Sequence, residues 1–165
     1  MLDVLFLADL MRTVLRDTPF PQATLEGAVA LLLGTAATES GLRRTPQHGG
    51  GPARGVFQIE PTTARDLHTW LLARPAFRAL LETRVGELRF RLGLLDDGDV
   101  YPILIARTLY YVRDPAPVPA PEDIVGHAGR YKYYYNTMAG AGSVEKYVAD
   151  YQRLIAPEWS PRLEV

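Results

Sequence analysis

The stretch LLLGTAATESGLRRTPQHGGGPARGVFQIEP, residues 31–61, decides how this chain is read. It opens as an apolar run with helical spacing, which places Leu32, Ala36 and Glu39 on one face at steps of four and three. The run ends on a carboxylate, crosses a loop too rich in glycine to pack, and regains order at Gly55-Val56-Phe57-Gln58-Ile59. An acidic side chain at the C-terminal end of a buried stripe forfeits water and lies near the negative end of the helix dipole. Both effects raise its pKa, and a protonated carboxyl beside an open loop is what a general acid requires. Position alone favours a solvated surface glutamate, so the weight rests on the residues around Glu39.

Outward from this stretch the spacing predicts helices joined by loops. Thr24 is placed to cap a helix over 25–40, with Glu26 in its first turn; Gly27 and Gly34 inside it imply close approach by a neighbouring helix. Upstream, residues 2–17 read as an amphipathic helix ending before Pro19 and Pro21. They are too short for a membrane span, and Asp3 and Asp9 together with the missing basic leader argue against a signal peptide. Downstream, Pro61 suits the first turn of a helix with Leu67, Trp70 and Leu71 as its apolar stripe, interrupted at Pro75. A further helical segment carries Phe77, Leu80, Leu81, Val85, Leu88 and Leu92.

Asp96-Asp97-Gly98-Asp99 reads as a solvated turn, since it lacks the ligand spacing of a calcium loop. The helix over 101–112 has Ile105, Leu109 and Val112 as expected core, with Arg107, Tyr110 and Tyr111 as polar handles. Four prolines between Asp114 and Pro121 make a loop too short to divide two domains. A last helix carries Tyr147, Val148, Tyr151 and Leu154, and residues 157–165 form a surface tail.

Composition sets the outer bounds. A chain of 165 residues, 47% of them apolar, fits one domain with a real core. A net charge of -1 argues against nucleic acid as the main partner. With no cysteine, disulfides and thiolate metal sites are excluded, and no metal or other cofactor is expected. In the run Tyr131-Lys132-Tyr133-Tyr134-Tyr135-Asn136 the tyrosines cannot all share one helical face, so some belong to the core and some to a surface, where an aromatic ring can stack on a sugar.

Glu39-Ser40-Gly41, the loop through His48-Gly49-Gly50-Gly51-Pro52, and Gly55-Val56-Phe57-Gln58-Ile59 before Pro61 resemble the core of the lysozyme-like lytic transglycosylases, in their bacteriophage virion-associated branch. Tyr135-Asn136, then Gly140 to Gly142, Val144 and Tyr147, are similar to that superfamily's second motif, with a longer spacing after the asparagine. The resemblance covers roughly residues 25–155 and implies a mainly α, single-domain lysozyme-like fold with a glycine-rich active-site loop. It implies Glu39 as the catalytic acid, with Ser40 orienting it and Gln58, Tyr135 and Asn136 binding substrate, and it puts His48 in a loop near that substrate.

Glycoside cleavage commonly uses two carboxylates. The position comparable to the second one of animal-type lysozymes is Ala53, which cannot serve. Glu60 is the nearest other candidate, either at the substrate or simply at the start of a helix. A single acid acting on peptidoglycan glycan strands is therefore the first expectation. Such a protein would be made in a host cytoplasm, carried in a phage particle and active at the bacterial cell wall. The alternative of another class is a structural virion component, in a neck, tail or ejection apparatus, contacting other virion proteins or forming a homo-oligomer. A helical bundle that binds an unrelated ligand is a third reading.

Overall fold

Helix α2, Leu25–Ser40, carries no charge between Glu26 and Glu39, so no side of it seeks water. Every residue from Gly27 to Thr38 is buried, which replaces the expected single stripe with a helix enclosed on all sides. This is seen in a computed structural model that describes residues 1–44, 50–114, 116–136 and 142–161. The described residues form a mainly α, single compact domain without strands; Arg54 and Ile59 pair in one isolated antiparallel bridge.

Around α2 are laid α1 (Val4–Leu15), α5 (Val100–Arg113), α6 (Ile124–Arg130) and α7 (Val144–Leu154). Helices α3 (Pro61–Leu72) and α4 (Pro75–Leu80) pack on α5 or on each other at one side. Pro61 begins α3 as expected, and Leu67 and Leu71 are buried. The long segment expected after Pro75 is broken: α4 runs into a π-helical turn, Leu81–Val85, that stops at Gly86 with φ 74°. No Cβ is tolerated cheaply at that left-handed φ, so the chain leaves the helix there.

In α1, Asp3 is the cap, accepting a bond from the Phe6 N–H at 2.7 Å. Thr24 occupies the capping position of α2 without capping it; its hydroxyl donates to the Pro21 carbonyl instead. Asp9 and Glu26 both reach Arg12, whose guanidinium lies inside the fold. Among the described residues no helix is long and apolar enough to cross a membrane.

Both glycines inside α2 sit at close approaches, of two different kinds. A Cβ on Gly34 would lie 2.1 Å from the Tyr147 hydroxyl of α7, which donates to the Leu31 carbonyl at 3.0 Å. A Cβ on Gly27 would lie 2.2 Å from the Pro119 carbonyl, so that neighbour is the proline-rich loop and not a helix.

Four other expectations are corrected. Val112 is 42% exposed rather than core, because the last turn of α5 emerges past the buried Tyr110. Arg107, expected as a polar handle, is buried with its guanidinium 5.0 Å from the Phe20 ring centre, and burial lowers its pKa to about 10. The tail is docked at Trp159, which is buried with the Arg12 guanidinium over its ring. The acidic turn is not merely solvated: Asp99 is buried and binds Arg44, Asp96 binds Arg54 at 2.9 Å, and Asp97 binds Arg91 at 2.7 Å.

Gly34→Ala is expected to destabilise the fold by about 1–3 kcal/mol, the cost of overpacking a filled site. Urea unfolding at constant slope measures it; an unchanged midpoint would show that the Tyr147 contact is not tight.

Candidate active site around Glu39

Glu39 is the penultimate residue of α2, and its surroundings follow from how that helix stops. Gly41 and Leu42 both take left-handed backbone, with φ of 60° and 61°, and their N–H groups return to the last-turn carbonyls of Ala37 and Ala36. Leu42 is fully buried, which holds a non-glycine residue in that conformation. The chain therefore turns sharply just after Glu39 and leaves its carboxyl at the edge of the core, partly buried.

Tyr131 donates its hydroxyl hydrogen to Glu39 Oε1 at 2.7 Å. The Asn136 side-chain amide donates to the Tyr131 hydroxyl at 2.8 Å, and Gly142 N–H donates to Asn136 Oδ1 at 3.3 Å. The backbone makes this chain possible. Residues 131–135 form a π-helical turn, closed by the Asn136 N–H on the Tyr131 carbonyl, which brings residues five apart together. Gly142 makes room for it, because a Cβ there would lie 2.3 Å from both the Asn136 amide nitrogen and the Tyr131 hydroxyl.

The Glu39 pKa is raised above its ordinary 4.5, and burial is the largest cause. The Tyr131 bond, the charge of Lys146 and the Asn136 side chain pull the other way. The charge that acts on Glu39 is thus a cation, not a second carboxylate. Tyr131 stays a phenol, its pKa raised by burial and by Glu39.

Ser40, Gln58, Tyr135 and Asn136 bond the protein's own groups at the end of α2, in the 54–59 turn and in the π-helical turn. Ser40, expected to orient Glu39, donates its hydroxyl to the Val56 carbonyl at 2.7 Å and ties the end of α2 to the 54–59 turn. Tyr135, expected on a sugar, donates to the Phe57 carbonyl of the same turn at 2.7 Å. Gln58 has φ 48°, and its amide donates back to the Gly55 carbonyl at 2.9 Å, which locks the turn around the buried Val56 and Phe57. Gly55 is required there by its φ of 73° and by the Leu95 carbonyl, 2.5 Å from where a Cβ would stand. Asn136, also expected on substrate, holds Tyr131.

Glu60 is exposed at the N-cap of α3, where its carbonyl accepts the Ala64 N–H. Ala53 is buried. His48, Gly49 and the turn residues Gly140 and Ala141 lie outside the described residues. Among the described residues no three His, Asp or Glu side chains gather as a metal site.

The motifs point to Gly142 but not to Tyr131 or Lys146 as parts of this site. Tyr131 stands four residues before Tyr135, and only the later tyrosine belongs to the Tyr-Asn motif. The arrangement amounts to one half-dry carboxyl with raised proton affinity, held by a phenol and neighboured by a cation. It can give a proton and, once ionised, take one back. No protein-family model, curated protein or solved structure matches the chain.

Because the folded pKa lies above the unfolded one, Glu39 supports the fold fully below its ordinary 4.5 and withdraws that support as pH rises through the folded value. Glu39→Gln, which keeps an oxygen for Tyr131, should therefore gain thermal stability relative to the native chain as pH is raised from about 4 to 7.5. Calorimetry at the two pH values checks this; a difference that shrinks on raising the pH would refute a raised pKa.

Proposed function

We propose that the protein cleaves the β-1,4 bond between MurNAc and GlcNAc in peptidoglycan, with Glu39 as its single acid. The observation that carries this reading is the carboxyl itself: partly buried, its pKa raised by that burial, and bonded by Tyr131 at 2.7 Å. The motif resemblance supports the choice of substrate. Protonation of the glycosidic oxygen by Glu39 lets the C1–O bond break with its electron pair on the leaving sugar. The substrate's N-acetyl group stabilises the cationic ring. Glu39, now a carboxylate, takes the proton of the 6-hydroxyl as that oxygen closes on C1, which gives a 1,6-anhydro-muramyl end. Water in place of the 6-hydroxyl gives hydrolysis by the same site. The exposed position of Glu60 and the alanine at 53 favour this one-carboxylate course over a two-carboxylate one.

Delivery in a phage particle to the bacterial wall fits the branch that the motifs resemble. A second reading, a structural virion component with little or no activity, draws on one observation. Ser40, Gln58, Tyr135 and Asn136 all make bonds to the protein's own groups, as a scaffold would.

Muropeptide mass spectrometry decides between them. Purified protein incubated with peptidoglycan is expected to release anhydro- or reducing-end muropeptides, and Glu39→Gln to lose at least about 100-fold of that rate, the scale on which a general acid contributes. Release undiminished in Glu39→Gln would remove the assigned acid. An inert native protein that sediments as a ring would favour the structural role.

A further inference from the structure

Lys146 breaks a local rule. It lies in the first turn of α7, just after the Ser143 cap, where a helix dipole disfavours a cation. Its ammonium finds compensation on another helix. Lys146 Nζ donates to the Thr38 carbonyl at 2.7 Å, one of the open carbonyls at the C-terminal end of α2, adjacent in sequence to Glu39. It donates also to Asp150 Oδ2 at 2.7 Å, and Arg153 binds the other oxygen of that carboxylate at 2.6 Å. Asp150 is nearly buried, so the ammonium is held from two sides although half of its side chain meets solvent.

We propose that Lys146 is a positioning residue for Glu39, a cation fixed to the last turn of α2 that steadies the carboxylate formed when Glu39 has given up its proton. This rests on Glu39 being the acid. Among the described residues, the other groups coupled to that carboxyl are Tyr131 and Asn136, which bond it or its support, and the buried phenols Tyr135 and Tyr110, none of which carries a charge at neutral pH. From α1, Arg12 is engaged with Asp9 and Glu26. Among the described residues, Lys146 is therefore the charged side chain that acts on Glu39. A proton donor that must later serve as a base needs its ionised form to last until the 6-hydroxyl closes, and a fixed ammonium supplies that without donating to the substrate.

The sign of its effect is definite. A cation favours the ionised carboxyl, so removing it should raise the Glu39 pKa. The test follows the Glu39 side-chain carboxyl carbon by NMR through a pH titration in the native protein, Lys146→Met and Lys146→Arg. The basic limb of glycan cleavage is recorded on the same samples. The midpoint is expected to move up in Lys146→Met and to return toward the native value in Lys146→Arg, with the basic limb following both. Salt should shrink the difference, since the ammonium is half exposed. Lys146→Gln, which keeps a donor for the Thr38 carbonyl, serves if the methionine variant melts early. A midpoint unmoved or lowered in a folded, uncharged variant overturns the proposal. If the native protein cleaves no glycan, the proposed function falls, while the titration still decides the role of Lys146.

Discussion

The hydrogen bond from Tyr131 to Glu39 is the constraint on which the rest of the site depends. It spans 92 residues of sequence and joins the end of the most buried helix to a π-helical turn. A phenol is the right donor for this place. It can bond either form of the carboxyl through hydroxyl rotation, and burial keeps it from ionising in its own right. Gly142 and Asn136 exist in this geometry to let that hydroxyl reach the carboxyl: one by having no Cβ, the other by donating to the same oxygen.

The second support is the 54–59 turn. Ser40 reaches it from the end of α2, and Tyr135 reaches it from the π-helical turn. Two elements far apart in sequence thus grip the same short loop, whose Val56, Phe57 and Ile59 side chains are sunk in the core. Rigid backing of this kind is what a proton-transfer group needs, because a loosely held carboxyl loses its geometry before its chemistry. The same polar residues that the motifs single out hold this loop and the π-helical turn in place. Each net hydrogen bond contributes only about 1 kcal/mol, so several are spread over the same few ångströms.

Much of the fold was legible because its signals are local. Pro61 starting α3 and the glycines admitting close neighbours are statements about adjacent residues, and they survive into the structure. What was illegible depends on distant partners. Arg107 reads as polar until Phe20 and Tyr111 cover it, and the acidic turn reads as solvated until Arg44, Arg54 and Arg91 arrive. The position of Glu39 at the end of a buried helix was readable, since helical spacing places it. That Tyr131 and not Tyr135 reaches it was not, because a π-helical turn shifts the face and has no spacing signature in a run of tyrosines.

Everything functional proposed for this chain requires Glu39 to hold its proton where an ordinary glutamate has lost it. Infrared difference spectroscopy of the native protein against Glu39→Gln, followed through a pH titration in the absence of substrate, reads that proton directly. The account predicts a protonated-carboxyl carbonyl band present in the native protein, absent in the variant, and replaced by carboxylate bands as the pH is raised. A midpoint for that exchange at or below the ordinary 4.5 would contradict it.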